Sequence, residues 1–351
     1  MGKPTGFLDY TRVDCPLRDA AARTGDYAPV ELPLSERNRR RQSGRCMDCG
    51  VPFCQAGVSF EGVLLGCPLH NLIPEWNDLL WNGDYEGALQ RLLKTSPFPE
   101  FTGRVCPALC ERACVCGQVS QPVTIRENEL SIIEYGFEND LMQPMLPAAR
   151  SDKKIAVIGS GPAGLSAAYY LNRRGHHVTV FEKDPLPGGL LIYGIPEMKL
   201  PKQIVARRIS LMKREGIGFR TSCCVGKQIG PEELAAQFDL VIFCCGAQQP
   251  RPLPFAETAG VFYALDYLRA SAQSLLEKTE PAVTASGKQV VLVGAGDSAS
   301  DCISVALRQG CQSITQLIRK PRTEQTEKRD HAHEEAEAVF GADIRRYETQ
   351  I

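Results

Sequence analysis

The chain has 351 residues, 43% of them hydrophobic and 23% charged, and a formal net charge of −1. That length admits two or three domains around a sizeable core, and the near-neutral charge gives no electrostatic footprint for nucleic acid. No apolar run approaches the ~20 residues that cross a bilayer, and Met1 opens a polar stretch without the apolar region of a secretion signal, so a cytoplasmic location with neither membrane nor nucleic acid as partner is expected.

To about Arg150 the sequence lacks strand alternation and shows helix-like stretches, Ile73 to Lys94 and Asn128 to Leu141, broken by Cys-Pro and Gly-Pro punctuation. Eight of the fifteen cysteines fall between Cys46 and Cys116. A secreted disulfide scaffold is short and spreads its cysteines along the whole chain, whereas a dense block in a cytoplasmic protein points to metal. The block holds Cys46-Met-Asp-Cys49-Gly-Val-Pro-Phe-Cys54, then Cys67-Pro, then Cys106-Pro-Ala-Leu-Cys110-Glu-Arg-Ala-Cys114-Val-Cys116. Thiolates at this density hold iron–sulfur clusters, each with four ligands. Structural zinc is the alternative, because CxxC pairs build zinc sites too; the prolines after Cys67 and Cys106 favour clusters.

After a linker at Gln143–Arg150 the texture changes to alternating strands and helices, which implies βαβ units and a parallel sheet. Lys154 to Ile158 reads as a buried strand, Leu165 to Arg174 as a helix stopped by Gly175, and His177 to Glu182 as a second strand. The same order recurs at Gln289 to Val293, Asp297 to Gln309 and Ser313 to Ile318. The chain therefore carries two dinucleotide-binding units.

In the first unit Gly159-Ser-Gly161-Pro-Ala-Gly164 joins strand to helix. Its glycines allow the tight turn, the approach of a pyrophosphate and the packing of helix on strand, and the helix N-terminus offers free N–H groups to the phosphates. Glu182 ends the next strand, placed to accept hydrogen bonds from an adenosine ribose and to repel a 2′-phosphate. In the second unit Gly294-Ala-Gly296-Asp-Ser-Ala299 is the GxGxxA variant. Where an NAD site carries an acid this unit has Arg319-Lys320-Pro-Arg322, cations that suit the 2′-phosphate of NADPH. Hydride transfer from a nicotinamide requires positioning rather than a general base, so no catalytic acid or nucleophile is expected. His176 and His177 read as structural, and Cys244-Cys245 as small core residues, since vicinal cysteines in a strand bridge only under strain.

The cysteine runs, together with Gly66-Cys-Pro-Leu-His-Asn71, Phe98-Pro-Glu-Phe-Thr-Gly-Arg-Val-Cys-Pro107 and the opening Met1-Gly-Lys-Pro-Thr-Gly-Phe-Leu8, resemble the small (beta) subunit of glutamate synthase. Dihydropyrimidine dehydrogenase and ferredoxin:NADP transhydrogenases carry related domains. The resemblance implies two 4Fe–4S clusters with ligands drawn crosswise: Cys46, Cys49, Cys54 and Cys114 for one, and Cys67, Cys106 and Cys110 with Glu129 for the other. Cys116 is then surplus and unligated. Gly188-Gly189-Leu190 through Gly194-Ile-Pro196 and Leu200-Pro201 resemble the family's flavin-proximal loop, which makes FAD the ligand of the first nucleotide unit, with Gly189 and Leu190 against it.

The implied fold class is α/β: a helical double-cluster domain over 1–150, the first part of a Rossmann-like FAD domain over 151–250, and an incomplete Rossmann-like NADPH domain over 251–351. In the family a further segment with a Gly-Asp motif completes the flavin site. This chain stops at Glu348-Thr-Gln-Ile351, so the expectation is a truncated chain or one complemented by a separate C-terminal segment, with FAD binding impaired and the second sheet left with an open edge. The implied role is to pass electrons from NADPH through FAD and the clusters to a large (alpha) subunit that makes glutamate from glutamine and 2-oxoglutarate. The alternatives are an NADPH–ferredoxin transhydrogenase subunit with another acceptor, or a flavin-free iron–sulfur electron-transfer module.

Overall fold

Glycine and proline break the first 144 residues into short helices in the computed structural model, which describes residues 5–247, 249–252, 257–323 and 330–349. Met1–Pro4 of the family-like opening and the final two residues lie outside the described residues. The chain divides into two compact units, one of residues to Pro16 with Glu31–Pro144, the other of Leu17–Val30 with Met145 onward.

The first unit contains α1 (Glu36–Ser43), β1 (Val58–Phe60), β2 (Val63–Leu65), α2 (Ile73–Asn82), α3 (Tyr85–Leu93), α4 (Pro99–Val105) and α5 (Ile125–Glu138). The stretch expected as one helix from Ile73 is two. Gly83 closes α2 in the left-handed region at φ +83, and Asp84 caps α3 by accepting from Gly87 N at 2.8 Å. Their apolar stripes bury Trp76, Leu80, Ala88 and Leu92, while α5 buries Ile132 and Ile133. Gly103 of α4 lies so close to α5 that a Cβ there would stand 2.8 Å from Leu130 Cβ. The β1–β2 hairpin has no counterpart in the expected helical pattern.

In the second unit β3 (Lys154–Ile158), α6 (Pro162–Arg173), β4 (His177–Phe181), α7 (Lys202–Arg214), β5 (Gly218–Arg220), α8 (Pro231–Gln237) and β6 (Leu240–Phe243) build a parallel sheet of order β5-β4-β3-β6. Central β3 is buried over its last four residues, as a strand covered on both faces must be. After α9 (Ala264–Glu277), the elements β7 (Gln289–Val293), α10 (Asp297–Arg308), β8 (Ser313–Leu317), α11 (His331–Phe340) and β9 (Arg345–Arg346) form a second parallel sheet, β7-β8-β9. Its core joins Ile303, Leu307, Ile314, Ala332, Ala336 and Ile344. Among the described residues β7 is an edge strand, and Val291 and Val293 are exposed.

Leu17–Val30 departs from the expected 1–150 boundary, and an ion network explains why. Arg23, 1% exposed, donates to Glu335 at 2.9 Å and to Glu334 at 3.0 Å. Glu335 also pairs with Arg308 at 2.8 Å, both side chains fully buried, and accepts from Ser304 Oγ. Val30 packs with Met198, Leu268, Cys302 and Val305. A buried carboxylate shared by two guanidiniums is costly to break, because each partner left behind is an uncompensated buried charge. Glu335→Gln is therefore expected to lower stability by about 3–5 kcal/mol in urea denaturation and to open Leu17–Val30 to protease. An E335Q protein as stable as the parent would remove the network from the account.

Candidate cluster and nucleotide sites

Cys46 follows the end of α1, Cys49 sits after a turn in which Asp48 has φ +49, and Cys54 lies in a 3₁₀ turn at Phe53–Gln55. Cys114 follows the one-turn helix Leu109–Arg112. These four thiols and Cys116 line one cavity, with Ile73, Pro74 and Asn77 of α2 and Ile125 of α5 as its apolar and polar wall. Burial pushes the Cys46 thiol up to about 12, and the thiols of Cys114 and Cys49 add to the shift. Cys54 is raised for the same reason, burial first, then Cys46, Cys114 and Cys49. Each thiol must lose its proton to bind metal, so metal binding and deprotonation are coupled here. Cys116 is 1% exposed.

A second group forms from Cys67, Cys106, Cys110 and Glu129. Burial raises the Cys67 and Cys106 thiols, and Glu129 raises them further. Cys110 is raised by burial and then by Glu111, Glu129, Cys67 and Cys106. Glu129, on α5, is pushed up to about 7 by burial, against a hydrogen bond from Thr102 Oγ1 at 2.5 Å and with Glu100 adding. Among the described residues no three His, Cys, Asp or Glu side chains converge on a point that holds a single metal ion. Chain spacing alone does not show Thr102, which contacts Glu129 only because α4 packs on α5.

The first glycine loop leaves β3 with Gly159 at φ +100 and its Cβ position 2.5 Å from Cys244 O, and Gly164 would place a Cβ 1.9 Å from Gly159 O. Gly161, the N-cap of α6, faces open space. Glu182 is buried, and its carboxylate accepts from Ser160 N at 3.0 Å, from Ser160 Oγ, and from Asp184 N at 2.9 Å. Ser160 Oγ accepts in turn from Gly188 N at 2.8 Å. Ser160, the middle residue of the motif, thus links Glu182 to the Gly188–Gly189 turn, a contact that the glycine spacing does not reveal. Gly189 adopts φ +54 beside Gly161, and Leu190, half exposed, opens a one-turn helix to Tyr193. Lys202 Nζ, buried at the start of α7, donates to Leu191 O at 2.9 Å, Ile195 O at 2.5 Å and Leu200 O at 3.2 Å and so holds this loop.

Cys244 and Cys245 are not core residues: Cys244 is partly exposed and Cys245 exposed, and the two are not joined in a disulfide. The reason is topological, since among the described residues β6 is an edge strand and its carboxyl end runs out at the rim over Gly159. His176 bonds Ser151 Oγ at 2.8 Å.

In the second sheet Val293 pairs with Leu317, which brings Gly294, Gly296 and Ala299 to the same carboxyl edge as Arg319 and Lys320, the edge where open α/β sheets bind ligands. Gly294 has φ +126, Gly296 is the N-cap of α10, and Ala299 is buried in its first turn. Arg319, Lys320 and Arg322 are exposed. Gln316, buried on β8, donates from Nε2 to Gly294 O at 2.8 Å and is met at Oε1 by His333 Nε2 at 2.9 Å. Asp330 Oδ1 bonds His333 Nδ1 at 2.7 Å. These three side chains brace the loop from β8 and α11, and nothing in their spacing announces it.

A family model described as dihydropyrimidine dehydrogenase domain II, 4Fe-4S cluster, matches residues 23–141. Another, pyridine nucleotide-disulphide oxidoreductase, matches 153–346. With two grouped thiol sets and two glycine loops at sheet edges, the chain is an NADPH-dependent oxidoreductase of the iron–sulfur flavoprotein class. It is 47% identical to the glutamate synthase [NADPH] small chain of Bacillus subtilis, covering 100% of this chain and 75% of that one. The corresponding chain of Mycobacterium tuberculosis is 44% identical, covering 92% of this chain and 66% of that one. Glutamate synthase [NADH] of Schizosaccharomyces pombe is 40% identical, covering 99% of this chain and 17% of that one. The chain belongs to the glutamate synthase small-chain family.

Two measurements follow from these sites. Cys46→Ser and Cys114→Ser are each expected to lose the same one of two clusters, halving iron and acid-labile sulfide, while Cys116→Ser keeps both; loss of different clusters would break the grouping. Burial lowers Lys202 to about 8. Between that value and its ordinary 10.5 the unfolded chain binds more protons than the folded one, so stability rises with pH across this window. Relative to Lys202→Met, the parent is expected to gain on the order of 2 kcal/mol from pH 8 to 10.5 in denaturant titrations.

Proposed function

We propose that this chain is the electron-entry subunit of a glutamate synthase. It takes hydride from NADPH onto FAD and passes electrons singly through two 4Fe–4S clusters to a large (alpha) partner subunit. That partner makes glutamate from glutamine and 2-oxoglutarate. The observation that carries this reading is the 47% identity along the whole chain with a glutamate synthase small chain, which includes every residue of both thiol groups and both glycine loops within its span. The Schizosaccharomyces pombe relative, of which this chain covers 17%, supports a large partner, because there the matching region is part of a much longer polypeptide.

In this reading Cys46, Cys49, Cys54 and Cys114 hold one cluster, and Cys67, Cys106, Cys110 and Glu129 the other. The residues fit the group: one cavity holds four of these thiols beside the surplus Cys116, and the other three thiols lie with the Glu129 carboxylate. Glu129, raised by burial, would give up any proton it holds on binding iron. FAD supplies the conversion of one hydride into two single electrons. Gly159, Gly161 and Gly164 with the start of α6 receive its pyrophosphate, Glu182 its ribose, and Gly189 and Leu190 stand beside it. Gly294, Gly296 and Ala299 with the start of α10 receive the NADPH pyrophosphate, and Arg319 and Lys320 take its 2′-phosphate. The assignment of 1–150 to clusters, 151–250 to FAD and 251–351 to NADPH belongs to the same reading, with Leu17–Val30 lent to the last. Among the described residues no helix is long and apolar enough to cross a membrane, and the free-thiol content suits the reducing cytoplasm.

The cation pair supplies the test. A charge-assisted contact to phosphate contributes about 1.5–3 kcal/mol. Replacing Arg319 and Lys320 together by Ala is expected to raise KM for NADPH by roughly tenfold to a hundredfold, with KM for NADH unchanged, in an assay with an artificial electron acceptor. Equal use of both nucleotides by the parent would overturn the NADPH assignment. Failure to co-purify with a large glutamine-hydrolysing subunit would overturn the partner.

A further inference from the structure

Arg45 stands immediately before Cys46 and is fully buried. Its guanidinium donates to Tyr10 O at 3.0 Å, Pro122 O at 2.8 Å and Gln121 O at 2.7 Å, and lies 4.0 Å from Cys116 Sγ. All four partners are uncharged. Two carboxylates of this region, Asp14 and Glu111, are engaged instead by Arg12 at 2.6 and 2.9 Å. A buried cation paired only with carbonyl dipoles is an expensive arrangement unless an anion answers it. Cys116, which it meets, and Cys46, the next residue in the chain, both line the cavity that also holds Cys49, Cys54 and Cys114.

A cluster bound by four thiolates carries net negative charge, and one further charge after one-electron reduction. A cation held close, in a region of low dielectric, stabilises the reduced form more than the oxidised one. We infer that Arg45 is the resident counter-charge of the cluster held by Cys46, Cys49, Cys54 and Cys114, and that it raises the reduction potential of that cluster. Arg45 touches carbonyls and a surplus thiol, so it acts through the field it imposes on the site rather than as a ligand. Cys116 stands between the guanidinium and the cavity without competing for iron. The inference rests on the cysteine assignment proposed above.

The experiment is a dithionite redox titration of the cluster-loaded protein followed by electron paramagnetic resonance, with iron and sulfide content measured on the same samples. Cys46→Ser identifies which signal belongs to the Cys46 cluster; if it loses neither signal, the ligand assignment fails independently of Arg45. Arg45→Gln is expected to keep both clusters and to make reduction of the Cys46 cluster at least tenfold less favourable, a shift of about 60 mV to more negative potential. Arg45→Lys, which retains the charge, is expected to stay near the parent potential. An unchanged potential in cluster-loaded R45Q, or an R45K shift as large as that of R45Q, would overturn the inference. If R45Q fails to retain the cluster, R45K decides: retention at the parent potential supports the counter-charge, and loss overturns it.

Discussion

Thiols from segments about sixty residues apart must meet in one buried cavity, and the architecture of the first unit follows from that demand. Cys46, Cys49 and Cys54 come from one turn-rich stretch, while Cys114 arrives from beyond α4. Helices α2 and α5 bring them together, since Ile73, Pro74 and Asn77 form one wall and Ile125 another. Asn77 and Asn128 join these helices through a buried hydrogen bond of 2.8 Å. A buried amide pair of this kind fixes register, because either partner alone would leave an unsatisfied polar group.

The second unit meets the opposite requirement, for open backbone instead of enclosed sulfur. Both glycine loops leave parallel strands at carboxyl edges, where the N-termini of α6 and α10 present N–H groups to an anion. What holds each loop differs. The first is tied by Glu182 through Ser160 to the Gly188 turn, the second by Gln316 and His333. The chain thus repeats a strand–loop–helix unit while bracing each copy with unrelated side chains, and the cation pair after β8 distinguishes the second copy by charge.

Much of the plan was legible before folding. Strand–glycine–helix order predicts both strand–loop–helix units to within three residues, because those glycines answer to local geometry: Gly159 needs a positive φ and Gly164 has no room for a Cβ. The Ile73 stretch was harder, since its apolar period continues through Gly83 and only the left-handed turn there splits it. Cys244 and Cys245 read as buried by their neighbours in the strand, yet strand order puts β6 at an edge. Leu17–Val30 carries no sign of its attachment, as Arg23 and Glu335 stand more than three hundred positions apart.

Sequence by itself determined the chemistry: which residues are thiols, where glycines permit a phosphate to approach, and that cations follow β8 where an NAD site has an acid. Those features depend on residue type and short spacing, which folding cannot alter. Tertiary structure alone decided which thiols share a cavity, that Glu129 is buried beside Thr102, and that Arg45 is enclosed among carbonyls against Cys116. Those are matters of burial and of long-range proximity, and they arise only when α1, α2, α4 and α5 pack and water is excluded from between them.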